Sequence, residues 1–172
     1  QIVEQYPTSG EAIKYAGLDY EVVKSPLFSK GSGIIETANG MEIGSSELEV
    51  PDYFANIRTD NNAVLGVVGK DYHIVQNREA FNFFDAIVGG GEGIQYETAG
   101  ALGNGERIFI TAKLPNYIRV GNGDDVTEKY IFLTTSHDGS GSITAAFTPI
   151  RIVCQNTLNA SLRSMTNVVR IK

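Results

Sequence analysis

Apolar residues in this chain fall into several short periodic runs, and each run predicts an element. Ala12, Ile13 and Ala16 make a short helical face behind Thr8-Ser9-Gly10-Glu11, which has the spacing of a capping box. Gly17 is placed to end that helix in a left-handed conformation, with Leu18 as its hydrophobic contact. Tyr20 to Lys24 alternates weakly and predicts a strand that Pro26 should stop. Residues 29–50 are rich in Gly and Ser and nearly aperiodic, which predicts a short irregular hairpin or loop. Phe54 to Thr59 and Val64 to Val68 are β-prone runs either side of Asp60-Asn61-Asn62-Ala63. Asn tolerates positive φ, so a tight hairpin turn is expected at Asn61-Asn62.

The strongest helical pattern begins at Asn77, a good N-cap, with Glu79 near the positive end of the helix dipole. Phe81, Phe84 and Val88 recur at i, i+3 and i+7, Ala80 and Ile87 widen the stripe, and Gly89-Gly90-Gly91 should end the helix. An aromatic stripe at this spacing reads as core. Residues 94 to 153 then read as strands. Ile108, Ile110, Ala112 and Leu114 share one face, whereas Tyr130 to Leu133 is apolar on both faces, as in a central strand. Gly139 to Gly141 supplies a turn, and Ile143, Ala145 and Phe147 alternate after it. Pro149 suggests an edge or a bulge, with the apolar positions shifting to Ile150 and Ile152. A helix is expected from about Val153, carrying Cys154, Leu158 and Leu162 on its apolar side, and Val168 to Ile171 predicts a last strand or a frayed end.

Together these patterns predict an α+β fold, an antiparallel β-sheet with two or three helices packed on one side. At 172 residues the chain fits one domain with a substantial core, and the hydrophobic share of 42% against 20% charged is globular. No apolar run approaches the roughly 20 residues that cross a bilayer, and the N-terminus carries neither a signal pattern nor an initiator Met. We therefore expect a single domain, residues 1–172, cut from a longer chain. One cysteine excludes an internal disulfide and fits a reducing cytoplasm. The net charge of −6 is uneven. Residues 137–172 hold four cationic residues against Asp138 alone, a balance of +3 that leaves −9 on the rest. A basic end on an acidic body permits a local phosphate-binding face, although a solvated surface explains it too.

Several phrases also carry a resemblance. They are Ala16-Gly17-Leu18-Asp19-Tyr20, Leu65-Gly66-Val67-Val68-Gly69, Val75-Gln76-Asn77-Arg78-Glu79-Ala80-Phe81 and Tyr96-Glu97-Thr98-Ala99-Gly100. Thr135-Ser136-His137-Asp138-Gly139-Ser140 and the run from Phe147-Thr148-Pro149 through Gln155-Asn156-Thr157-Leu158 complete the set. In these the chain resembles the phage/plasmid-like family of unknown function numbered 932 in the domain-of-unknown-function series. The resemblance implies a cytoplasmic protein of phages, plasmids and integrated elements, with members extending past both ends of this chain. It assigns no catalytic residue.

Three chemistries can be drawn from the residues. Cys154 as thiolate with His137 as base, the ring oriented by Asp138 or Asn156, would make a hydrolase or transferase. Against it, a lone Cys on an apolar helical position is usually a small buried hydrophobe. Asp71 with His73, and Asp138 with His137, offer metal donors at no standard spacing, so no metal and no cofactor is expected. Gly139-Ser140-Gly141-Ser142 could cradle a phosphate, but it lacks the lysine and spacing of a P-loop, and a hairpin turn explains it. The expected function is therefore a non-enzymatic accessory of mobile-element nucleic-acid metabolism. It would bind single-stranded DNA or another phosphate-bearing partner through Arg151, Gln155, Asn156, Asn159, Arg163 and Arg170, and self-associate. A purely structural or host-interaction protein is the remaining alternative.

Overall fold

The computed structural model describes residues 2–6, 9–88, 95–115 and 130–171. In chain order the elements are β1 (Ile2–Tyr6), α1 (Ser9–Tyr15), β2 (Val22–Thr37), β3 (Gly40–Arg58), β4 (Val64–Gly69) and α2 (Asn77–Val88). They continue as β5 (Gln95–Leu102), β6 (Arg107–Lys113), β7 (Tyr130–Ser136), β8 (Ile143–Thr148), α3 (Gln155–Ser164) and β9 (Thr166–Ile171). Six strands form one sheet in the order β1-β5-β6-β7-β8-β9, and three form a second in the order β2-β3-β4. Every neighbouring pair is antiparallel, so the α+β expectation holds.

The large sheet is buried on both faces because its central strands are apolar at odd and even positions alike. Cross-strand partners share a face, and the register aligns Ile110 with Ala99 and Leu133, and Leu133 with Ala145. That face meets Ala12 and Ile13 of α1 and Ala80, Phe81, Phe84 and Val88 of α2. The next residues along, Phe109, Phe132 and Ala146, point the other way and pack with Ile152 and Leu158 of the α3 segment. Two helices thus lie on one side, and the third adds a layer behind the sheet.

The local punctuation behaves as its chemistry dictates. Gly17 adopts φ +71° after α1, and the Leu18 amide reaches back to the Ile13 carbonyl (2.8 Å) while its side chain is fully buried. The β3–β4 turn closes with Asn62 at φ +59°, and the Asn61 side chain accepts from the Ala63 amide (3.0 Å). In α2 the stripe of Ala80, Phe81, Phe84 and Val88 is buried as expected, but Ile87 is exposed and does not widen it. The Thr8 half of the expected capping box and the Gly89-Gly90-Gly91 stop lie outside the described residues.

Three expectations are corrected. Residues 29–50 are no irregular loop but most of a long, regular ribbon, β2 of 16 and β3 of 19 residues, turning at Thr37-Ala38-Asn39-Gly40 with Gly40 at φ +118°. None of the described side chains from residue 29 to 50 is buried, so no alternation is required of the pattern. Pro26 does not stop β2. It lies on the outer strand of the small sheet, beside a register shift between Pro26 and Phe28, where a missing N–H is tolerated. Pro149 marks no bulge within a strand: β8 ends at Thr148, and the backbone bends away toward α3.

Candidate functional site

The segment Ser136 to Gly141 joins β7 to β8, and the small sheet is seated on it. Gly66 of β4 runs so close to the Asp138 backbone that a Cβ there would sit 2.5 Å from the Asp138 Cα. Gly139, at φ +84°, meets the Val68 side chain in the same way, at 3.1 Å. Asn56 of β3 donates from Nδ2 to the His137 carbonyl (2.8 Å), and the Tyr72 hydroxyl donates to the Ser136 carbonyl (3.3 Å). The His137 amide in turn donates to the Glu106 carbonyl.

The His137 side chain points into the α2 side of the sheet and is almost fully buried. Its Nε2 lies 2.6 Å from Asn77 Oδ1, while Asn77 Nδ2 donates to the Leu18 carbonyl (3.0 Å). An amide oxygen can only accept, so this network places the ring proton on Nε2. Burial drives the His137 pKa down to about 4, with Asp138 pulling weakly upward. The Tyr20 ring stands edge-on to the imidazole, donates its hydroxyl to the Gly105 carbonyl (3.1 Å) and is raised in pKa chiefly by burial. The Arg58 guanidinium lies 3.8 Å over that ring. It also binds Asp60 through two contacts, at 2.9 and 2.7 Å, and donates to the Asn104 carbonyl (2.8 Å). These side chains bolt the first part of the chain to the β5–β6 and β7–β8 turns.

Asp138 fills the turn that could have cradled a phosphate. Its Oδ1 accepts from the Ser140 amide (2.8 Å) and from the Ser140 hydroxyl. Burial alone would raise its pKa. The hydrogen bonds from Ser140 and the Arg107 charge hold it below the ordinary carboxylate value. A fixed carboxylate on those amides repels an anionic ligand. Beside the turn lies a groove of about 330 Å³ lined by Asp71, Tyr72, His73, Ser136, Ser142 and Ile143, among others. Among the described residues no three His, Cys, Asp or Glu side chains converge to hold a metal ion.

Cys154 is corrected from packed to exposed. The helix starts one residue later than its apolar spacing suggests, so Cys154 is the extended N-cap at φ −156°, and the buried positions are Leu158 and Ser161. The Thr157 hydroxyl accepts from the Val153 and Cys154 amides (2.9 and 3.0 Å), lies 3.6 Å from Cys154 Sγ, and the helix-start amides of Thr157 and Asn156 lower the thiol pKa. The structure does not bring Cys154 and His137 together. One caps the helix behind the sheet, and the other is buried on the α2 side with its base nitrogens committed or enclosed.

Of the six polar residues of the C-terminal segment, four share the exposed side of α3 and Arg170 projects on the same side of the sheet, whereas Arg151 stands apart on Glu97. Asn156, Asn159 and Arg163 recur at i, i+3 and i+7 along exposed α3, and the Gln155 amide donates to Asn159 Oδ1 (2.8 Å). Arg170 pairs with Thr144, which aligns with Thr134 and Phe109, so it too projects on the α3 side. Arg151 is exposed but holds Glu97 at 3.3 Å. Sequence reasoning took Asn77 for a helix cap and gave Asn56 and Tyr20 no part in the site. An Asn inside the apolar run Phe54-Ala55-Asn56-Ile57 was the one available signal of a buried polar contact.

A chain with this architecture is a two-sheet α+β protein whose most motif-like segment joins its parts. A family model described as Domain of unknown function (DUF932) matches residues 64–172, and the chain belongs to that family. The match takes in β4, α2 and the sheet from β5 onward, and leaves out α1 and the β2–β3 ribbon. No curated protein and no solved structure matches the chain. No helix among the described residues is long and apolar enough to cross a membrane.

Proposed function

We propose that the protein is a non-enzymatic binding module of phage- or plasmid-borne nucleic-acid metabolism, working in the cytoplasm. It contacts phosphates, single-stranded DNA first among them, through α3 and β9. The single observation that supports this reading is the exposed stripe of Asn156, Asn159 and Arg163, with Arg170 on the same side of the sheet. Amides and guanidinium groups of this kind hold backbone phosphates without reading sequence. The face carries no exposed aromatic platform among its described residues, so binding rests on charge and weakens steeply with salt.

The test is fluorescence anisotropy with a labelled single-stranded oligonucleotide across a salt series. Arg163→Ala and Arg170→Ala should each weaken binding and flatten the dependence of log K on log salt by about 0.7 per lost phosphate contact. Arg151→Ala should do less, because Glu97 already neutralises it. No binding at low salt by the unaltered chain ends the proposal.

A thiol-based activity is the second reading, and the exposure of Cys154 with its lowered pKa favours it. Its base would have to come from outside this turn, since His137 is enclosed. Loss of an activity in Cys154→Ser but not in His137→Gln would support it.

A further inference from the structure

From Phe28 to Glu49 the chain leaves the body of the protein as a two-stranded ribbon. β4 pairs with Tyr53 to Ile57 of β3, so beyond that point each strand has the other as its one sheet partner among the described residues. Ten residues from Phe28 to Thr37, at about 3.3 Å per residue, give an arm roughly 30 Å long. Apart from Thr37 and Gly44, its described side chains are all exposed. Among them Phe28 is 55%, Met41 72%, Ile43 85% and Leu48 65% exposed. An isolated hairpin is marginal in water, and an open edge of this length is a template for another strand.

The charges on the arm select the occupant. The charged side chains described on β3 here are acids, Glu47 and Glu49, so two β3 edges would set like charges together. Lys30 holds Glu47 of its own β3 at 3.6 Å, and β2, the outer strand of its sheet, carries one charge of each sign on the arm, Lys30 and Glu36. They lie three residues either side of Gly33, where a Cβ would meet nothing within 4 Å. Two β2 strands running antiparallel with Gly33 on the dyad bring each Lys30 opposite the partner's Glu36. The same register leaves Pro26 beyond the paired stretch, where its missing N–H costs nothing. Even-numbered β2 residues then stay on one face in both copies. Phe28, Met41 and Ile43 of the two chains share that face, because Glu36 pairs with Met41 and Phe28 with Glu49.

We infer that the β2–β3 arm is a self-association element, which joins two copies of this chain through an antiparallel β2–β2 edge into a four-stranded sheet. The interface is isologous, as a closed dimer requires, and uses the main-chain groups that the small sheet leaves open. It is independent of the phosphate-contact reading, which concerns the opposite end of the chain.

The experiment is sedimentation equilibrium on the unaltered chain, on Lys30→Glu, on Glu36→Lys and on the double charge swap. The unaltered chain should be a dimer. Each single reversal places like charges together twice per dimer and should raise the dissociation constant about tenfold or more; Lys30→Glu also loses its contact with Glu47, so the swap should bind more tightly than either single reversal without fully restoring the original. In a Cys154→Ser background, Gly33→Cys should form an intermolecular disulfide on mild oxidation, because the two positions face each other on the dyad. The variants alter only exposed arm residues, and unchanged circular dichroism and melting temperature will show that the body remains folded. A monomer at high protein concentration, assemblies larger than two, or a dimer indifferent to single reversals each overturns the proposal.

Discussion

The large sheet and the β2–β3 arm are both antiparallel β-structure, yet they are held by different means. In the sheet from β5 to β8, side chains on both faces are buried, and strand pairing is reinforced by helices in front and behind. In the arm, pairing holds the strands, and the described side chains, Phe28, Met41, Ile43 and Leu48 as well as Gly, Ser and charged residues, face water. Identical backbone geometry therefore coexists with opposite burial. The hydrophobic effect chooses the register of the first, whereas a turn and a free edge choose that of the second.

The sharpest way to break this comparison is to remove one large side chain from each region. Phe132 is fully buried between strands and α3, and Phe132→Ala should cost about 3–5 kcal/mol in a denaturant titration. Ile43→Ala on the arm should change the stability of the body by less than about 0.5 kcal/mol. Equal losses would mean that the arm folds as part of the core.

The next effect follows from pH. His137 has a folded pKa of about 4 against 6.5 ordinarily, so between those values the unfolded chain binds more protons than the folded one. Stability should be full above about pH 6.5 and fall as pH drops toward 4, by up to about 3 kcal/mol. Thermal melts across that range on the unaltered chain and on His137→Gln check it, since the variant should lack this portion of the slope. Arm exposure should not respond, because the junction and not the arm carries the titrating ring.

Gly66→Ala comes next. A methyl group at that position meets the Asp138 backbone, and neither strand nor turn can yield cheaply, so a loss of about 1–3 kcal/mol is expected from the same titration. The smallest effect is at Cys154. Cys154→Ser should leave stability within about 0.5 kcal/mol of the original. In the unaltered chain the thiol should alkylate in the native state, with a rate that rises at lower pH than for an ordinary cysteine, as its pKa direction requires. Resistance to alkylation until the chain unfolds would contradict the exposed cap.

Elements whose core-facing residues keep an apolar period were legible in the sequence. The Phe81, Phe84 and Val88 stripe and the Ile108 to Leu114 alternation each encode contact with a core, and both were placed correctly. The arm was not, since a ribbon none of whose described side chains is buried leaves no period to read. Of the candidate site, the shared face of Asn156, Asn159 and Arg163 was within reach of helical spacing once the helix start was known. The role of His137 was not. Its partner Asn77 is 60 residues away in sequence, and that Asn looked like a cap because local chemistry suggested one. Cys154 misled for a related reason: i, i+4 spacing to Leu158 cannot distinguish the first buried turn from the residue that caps it.

The match that defines the family opens at Val64, the first residue of β4, and β4 has its one described ladder with β3, which lies wholly before it. Shared sequence and cooperative folding unit therefore have different borders. A gene fragment trimmed to the matched region would leave Leu65 and Val68 without the strand that positions them and strip the cover from the loop at Asp138. Such a fragment should express as an aggregate.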